Sequence, residues 1–278
     1  MWSLAPIHRI CPPPGQPRRL RRWQPQHQRQ ALFIVARLPI AGQTKTRLGT
    51  VIGAEAAAAL YRAFLRDLDE RFTQAAARDG YDLYWFYAAP ADLDDAALAA
   101  PAPTGGTILR QEGVDFAARL WHGFQTLSRR GYERIVVIGS DSPHLPAAWA
   151  AQSFAALATH DVVIGPALDG AYYLLGQRVH SAPVDLFCGI TMSTASVCAE
   201  TLARAEASGL RVARLPATFD IDERADLERL REALREAPSA AADAAPATQA
   251  LLSALLSLPP GAPLALASSG EEARHGSD

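Results

Sequence analysis

Cysteine is scarce in this 278-residue chain: there are three, at positions 11, 188 and 198, an odd number with no CxxC pair. No disulfide framework or zinc site is expected from that pattern, and a reducing cytoplasm is the expected compartment. Long hydrophobic runs are missing too. Nothing approaches the roughly 18–20 apolar residues of a membrane helix, so no membrane span is expected. The N-terminal stretch also lacks the apolar core of about 7–15 residues that marks a signal peptide. Neither charge sign dominates, with 27 Lys and Arg against 29 Asp and Glu. Six of the arginines fall within residues 1–30, where there is no acid, so the remainder carries 21 − 29 = −8. An acidic body is a poor nucleic-acid binder, which needs a basic face.

What remains divides into three. Residues 1–30 are rich in Pro, Gln and Arg and read as a disordered basic extension. Residues 31–236 read as one globular domain. Residues 237–278 form an Ala/Pro/Ser-rich tail, in which "TQALLSALLSL" reads as a short helix able to dock on the body.

The middle alternates strand and helix. "ALFIVA" (31–36) is a short apolar run of β-formers. In the next segment Leu60, Phe64, Leu65, Leu68 and Phe72 recur at helical spacing. "YDLYWFYAA" is a strand by its aromatics, "GTILRQ" a weaker strand, and "DFAARLWHGFQTLSRRG" a helix that stops at Gly131. "RIVVIGSD" is the strongest strand. Pro146 suits a first helical position. "DVVIGPALDG" and "AYYLLGQ" are strands around a turn. "MSTASVCAETLARAEASG" reads as a helix, "LRVARLP" as a strand, and "RADLERLREALREA" as a closing helix. Such alternation predicts an α/β domain with a mostly parallel central sheet and helices on both faces. Ligands of such sheets bind beyond the carboxyl ends of the strands. The unusual polar residues fall at those ends: Arg37–Arg47, Ser140–Asp141–Ser142, and Asp169–Gly170.

Each of these segments has a plain structural reading beside a functional one. "ARLPIAGQTKTRLG" (36–49) lacks both glycines of the phosphate-binding GxxxxGK[ST] loop, so that motif is rejected. A strand-to-helix turn still offers free N–H donors to an anion, and Lys45 and Arg47 add charge; the alternative is a solvated basic turn. Asp141 either caps the turn after its strand or binds a hard cation, which needs one or two carboxylates plus substrate phosphates. His144 reads as a loop residue, since no second His or Cys stands at metal spacing. Asp169 is the Asp of an Asp-Gly turn or a cleft residue, and one of Tyr172 and Tyr173 can wall a pocket. In "FDIDERADLERL", Asp222 or Asp226 caps the last helix or supplies a second metal ligand. Cations and at least two carboxylates on one sheet edge suit a nucleotide diphosphate or triphosphate with its metal.

The segments "ARLPIAGQTKTRLG", "GSDSPHL", "DVVIGPALDGAYYLLG", "LFCGITMSTASV" and "FDIDERADLERL", in that order, resemble the bacterial arsenosugar-biosynthesis-type glycosyltransferase family. Its members are nucleotide-diphospho-sugar transferase-like proteins with a Rossmann-like GT-A fold. The resemblance covers about residues 31–236. More distantly, the Lys-Thr-Arg-Leu turn looks like phospholactate guanylyltransferase, and "DIDERADL" is similar to a segment of CMP-KDO synthetase. The resemblance implies a nucleotide cradled by Arg37, Pro39, Gly42, Lys45, Thr46 and Arg47. It implies Mg²⁺ or Mn²⁺ on Asp141 and Asp222, and an acceptor beside Asp169, Gly170 and Tyr172. The chain departs from the family in three places. Arg37 stands where Lys is frequent, and Asp169–Gly170–Ala171 where the family usually has Asp-Gly-Gly. Asp222–Leu227 stands where the family often has Asp-Thr-Pro-Glu-Asp-Leu. Glycosyltransferases of this fold commonly use an Asp-x-Asp pair, and here Ser142 and Pro143 follow Asp141 with no second Asp.

The expected activity is metal-dependent transfer of a glycosyl group from a nucleotide sugar to a small acceptor. Asp141, Lys45 and Asp169 are then the candidate catalytic residues, Asp169 as a candidate base. A nucleotidyltransferase that joins a nucleoside triphosphate (NTP) to a phosphorylated metabolite uses the same residues. A catalytically silent nucleotide-binding protein is the third reading.

Overall fold

The computed structural model describes residues 29–88, 105–236 and 244–257. The basic extension up to residue 28 and most of the tail lie outside them. Seven strands form one sheet: β1 (Gln30–Arg37), β2 (Asp82–Ala88), β3 (Thr107–Arg110), β4 (Arg134–Gly139), β5 (Val162–Pro166), β6 (Tyr172–Arg178) and β7 (Val212–Arg214). Their order across the sheet is β3-β2-β1-β4-β6-β5-β7. All pairings are parallel except those of β6, which runs antiparallel to both β4 and β5. That reversal follows from the short Asp-Gly turn joining β5 to β6, since so short a connection can join only antiparallel strands.

Seven helices are described: α1 (Thr46–Ile52), α2 (Ala54–Asp79), α3 (Phe116–Arg129), α4 (Ala148–Ala156), α5 (Val197–Ala207), α6 (Arg224–Glu236) and α7 (Pro246–Ser257). Successive strand residues face opposite sides, and the two sides carry separate cores. Leu32, Ile34, Trp85 and Ile138 meet α2, α4, α6 and α7. Phe33, Phe86, Ile135 and Val137 meet α3 and α5. The expected α/β architecture, a mostly parallel central sheet with helices on both faces, is therefore present. None of the described helices is long and apolar enough to cross a membrane.

Three sequence expectations are corrected. The helix predicted from Met192 begins only at Val197, and Ser193 takes a left-handed φ of 65° that no helix accommodates. Pro146 precedes rather than opens α4, which starts at Ala148. Cys198 is free, as expected, but Cys188 is disulfide-bonded.

The strand order also fixes the site. The chain leaves β1 for β2 and β3 on one side and returns to β4 on the other. The crevice between the carboxyl ends of β1 and β4 is thus the topological switch point, where open α/β sheets bind ligands.

Candidate active site

A cleft of about 630 Å³ opens at that point. Its walls come from the end of β1 (Arg37), the turn into α1 (Thr44, Lys45, Thr46, Arg47) and the end of β4 (Ser140, Asp141). The β5–β6 turn adds Asp169 and Ala171, the loop before α5 adds Met192–Ala195, and the segment before α6 adds Asp220 and Asp222.

Lys45 is central, and it is the only lysine in the chain. It sits immediately before α1 in a left-handed conformation, φ 51° and ψ 44°, unusual for a residue with a Cβ. Its Nζ lies 2.6 Å from Asp141 Oδ1 and 3.0 Å from Asp222 Oδ1. The lysine side chain is only 5% exposed, whereas the two carboxylates keep 44% and 46% of their surface. Burial by itself would lower the Lys45 pKa, but the two carboxylates outweigh it and raise the pKa above the ordinary value, so the ammonium stays charged. Arg47 is held outside by Glu223 at 2.5 Å.

The segment before α6 explains why Asp222 faces the cleft. Asp226 Oδ2 accepts the N–H groups of Asp222 and Glu223, at 3.0 and 2.7 Å. This is the reach-back half of a capping box, so Asp226 takes the capping role and leaves the Asp222 carboxylate to Lys45. Asp220 lies deeper. Ser142 Oγ donates to its Oδ1 at 2.7 Å. Burial first, and the nearby Asp141 second, push its pKa up to about 6. Sequence reasoning missed Asp220. Its signal was the alternation Asp220–Ile221–Asp222, because residues two apart share a face in an extended chain.

Tyr61 was also missed, and Ser140, read from the sequence only as a polar residue at the end of its strand, is its partner. The Tyr61 hydroxyl accepts the Arg37 N–H at 3.1 Å and lies 2.7 Å from Ser140 Oγ, tying α2 to the ends of β1 and β4. Burial, with Asp141 adding to it, pushes the Tyr61 pKa up to about 12, so the phenol stays neutral.

The remaining candidates divide. Arg37, Lys45, Thr46, Arg47, Asp141, Asp169, Tyr172 and Asp222 line the cleft. Pro39 is buried in the turn and Gly42 stands exposed on it at φ 75°; neither contributes to the wall. Asp169 Oδ1 accepts the Ala171 N–H at 2.9 Å, so it shapes its turn as well as facing the cleft. Gly170 has φ 90°, and a Cβ there would meet Ala195 O at 2.0 Å. The turn can close against the Met192–Ala195 loop only with glycine at this position. Tyr172 supplies a ring to the wall, and its buried hydroxyl lies beside that of Thr201. His144 is a packing residue: its Nε2 lies 2.8 Å from Thr218 Oγ1 and its ring stacks on Phe219 at 4.2 Å.

Among the described residues no cluster of three or more His, Cys, Asp or Glu is arranged to hold a metal. Two carboxylates do converge on one cation, the Lys45 ammonium. A hard divalent cation completed by substrate phosphates asks no more of the protein than this donor set.

The family model described as "Uncharacterized protein conserved in bacteria (DUF2064)" matches residues 68–194. A crystal structure from Desulfovibrio desulfuricans G20, named a "putative nucleotide-diphospho-sugar transferase", is 34% identical, with a TM-score of 0.70 over 81% of this chain and 94% of that one. This protein belongs to the same family as that one. Weaker likenesses include CMP:2-keto-3-deoxy-manno-octonic acid synthetase complexed with CTP, at 14% identity and TM-score 0.47 over 75% of this chain and 99% of that one. Another is the 4-diphosphocytidyl-2C-methyl-D-erythritol synthase of Anaerococcus prevotii DSM 20548, at 10% identity and TM-score 0.46 over 75% and 99%. No curated protein matches the chain.

Proposed function

We propose that the protein is a metal-dependent nucleotide-sugar transferase of the arsenosugar-biosynthesis type, passing a glycosyl group to a small acceptor. One observation carries this reading: a single buried ammonium, Lys45, is held between Asp141 and Asp222 at the switch point of the sheet. The membership in a family with a nucleotide-diphospho-sugar transferase-like relative supports it.

Asp141 and Asp222 hold Mg²⁺ or Mn²⁺, which supplies charge neutralisation on the diphosphate when bound. Lys45 turns from the carboxylates toward the phosphates and offsets the charge that develops on the leaving group. Arg47, exposed at the mouth, exchanges Glu223 for a phosphate oxygen. Asp169, Gly170 and Tyr172 form the acceptor wall, with the Asp169 carboxylate placed to take the acceptor's hydroxyl proton.

A second reading, nucleotidyl transfer from an NTP, is favoured by the origin of the carboxylates. They come from two distant segments, after β4 and before α6, and Ser142–Pro143 follows Asp141 in place of an Asp-x-Asp pair. Thermal unfolding against NTPs and nucleotide sugars, with and without Mg²⁺ or Mn²⁺, separates the two. A ligand at about 100 times its Kd adds about 2.7 kcal/mol, roughly 5–10 °C for a domain of this size. A metal-dependent rise with a nucleotide sugar, lost in Asp141→Ala, is the expected result. A rise with one NTP alone moves the assignment to nucleotidyl transfer. No rise with any nucleotide overturns both.

A further inference from the structure

Four cations line the cleft: Arg37, Lys45, Arg47 and Arg119. Lys45 is neutralised by Asp141 and Asp222, and Arg47 by Glu223. Among the described residues the guanidinium groups of Arg37 and Arg119 make neither an ion pair nor a hydrogen bond. The Nε–H of Arg119 is buried with no acceptor, and its only contact of note is the Phe116 ring at 5.7 Å. A buried donor left unsatisfied is costly, and more so when charged. The Nε groups of Arg71, Arg134 and Arg231 are buried without an acceptor too, but those guanidiniums are held through their other nitrogens. Arg119 has no such hold and lines the cleft, where a ligand can supply the partner.

The fold shows which end of the cleft these cations occupy. Gly123 of α3 lies against β1 and β2, since a Cβ there would be 3.1 Å from the Phe33 ring and 3.3 Å from the Phe86 ring. Arg119 is four residues earlier, on the same helix face. That is toward the start of α3, which lies at the carboxyl ends of the strands. Gln111 Nε2 donates to Ala36 O at 3.3 Å and to Phe86 O at 2.8 Å, pinning the entry to α3 over the same two strand ends. Arg37 ends β1. The unpaired charge therefore stands over β1 and β2, while Asp141, Asp220 and Asp222 lie beyond β4. Neighbouring strands are about 4.8 Å apart, so the two ends are separated by on the order of 5–10 Å.

We propose that Arg119, aided by Arg37, is an anion subsite that binds a phosphate or carboxylate group of the ligand at the β1–β2 end of the cleft. The subsite adds to the transferase reading and rests on that reading only in taking this cleft as the ligand site. Two guanidinium groups without counter-charge favour a full anion over a neutral base edge. The planar fork of Arg119, braced on Phe116, suits two oxygens of one group. The anion belongs either to the acceptor or to the nucleotide's own phosphates.

The test is calorimetric titration of the full chain, wild type and Arg119→Gln, with inorganic pyrophosphate and with malonate in EDTA. Without metal the carboxylate end contributes nothing attractive, so a failed nucleotide assignment does not affect this arm. The wild type is expected to bind, less tightly as salt rises. Arg119→Gln is expected to bind about tenfold more weakly, and Arg119→Lys to recover part of the loss. The unliganded Arg119→Gln protein should unfold at close to the wild-type temperature, because the side chain has no hydrogen bond or ion pair to lose, only its contact with the Phe116 ring. Repeating the titration with ATP, GTP, CTP and UTP plus Mg²⁺ identifies the source. Tenfold weakening of NTP binding assigns the anion to the nucleotide, and NTP binding unchanged beside lost pyrophosphate binding assigns it to the acceptor. Three results overturn the proposal. One is equal pyrophosphate binding by wild type and Arg119→Gln. Another is no anion binding by wild type at millimolar concentration. The third is an effect confined to one NTP with pyrophosphate untouched, which would make Arg119 a reader of the base.

Discussion

Lys45 stands alone among 27 lysines and arginines as an ammonium, and its surroundings explain the choice. A compact point charge fits between two carboxylate oxygens at 2.6 and 3.0 Å and can change partners by rotating its stem. Lys45→Met leaves Asp141 and Asp222 facing each other with no cation. Because both keep nearly half their exposure, the expected loss is only about 1–2 kcal/mol, and Mg²⁺ alone should restore it. Wild-type stability should not respond to Mg²⁺ alone, since the ammonium holds the same position. Calorimetric melting curves with and without Mg²⁺ decide this, and equal responses would show that ammonium and metal do not compete. His144 gives a pH test. Burial, then the charge of Arg71, lowers its pKa from 6.5 to about 4. The folded state thus binds fewer protons than the unfolded state between those values. Stability is complete above about pH 6.5 and falls as the pH drops toward 4, by on the order of 3 kcal/mol. In His144→Gln that part of the acid sensitivity should vanish from denaturant midpoints measured across pH 4–7; an unchanged slope would place it elsewhere.

At the scale of elements, the strands and long helices were readable because periodicity is local. The five predicted positions of α2 are all buried, as the spacing requires. The loop that closes the cleft was not readable. Met192–Ser196 has the composition of a helix start, and nothing near it in sequence shows that Ser193 must turn left-handed to meet the β5–β6 turn. Gly170 is the other half of that contact. Gly170→Ala forces a Cβ to within 2.0 Å of Ala195 O at φ 90°. It should cost about 1–3 kcal/mol. It should also displace the Met192–Ala195 wall, so the ligand-induced rise in melting temperature should shrink more than the stability itself. A variant that melts and binds as wild type would show that the contact is slack.

Across the whole molecule, the last of the described helices is fastened to the long second helix. Asp67 of α2 accepts the N–H groups of Ala247 and Thr248 at 3.0 and 2.7 Å, capping α7, whose Leu252 and Leu255 join the core. Arg71 donates to Ala244 O at 3.1 Å. It also donates to Pro143 O and Leu145 O, so the same guanidinium steadies the loop after Asp141. A chain ending at residue 243 loses two buried leucines and leaves the Asp67 carboxylate without its donors. The expected cost is about 3–5 kcal/mol, a drop in melting temperature on the order of 10 °C. Circular dichroism should lose one short helix and keep the sheet. An unchanged melting temperature would mean that α7 only rests on the surface.

The sequence alone determined the class of fold, the basic turn after β1 and the carboxylate after β4. Each depends on neighbours a few residues away: apolar periodicity, β-branched runs and turn chemistry. It could not determine which charges meet. Lys45 and Asp222 are 177 residues apart, and their contact exists because long-range pairing sets β4 beside β1 and brings the segment before α6 across the strand ends. Tertiary structure likewise gave the cap to Asp226, drew Asp220 into the site, and left Arg37 and Arg119 without partners. Charge compensation is settled by three-dimensional distance and burial, and neither is encoded in any local window of the chain.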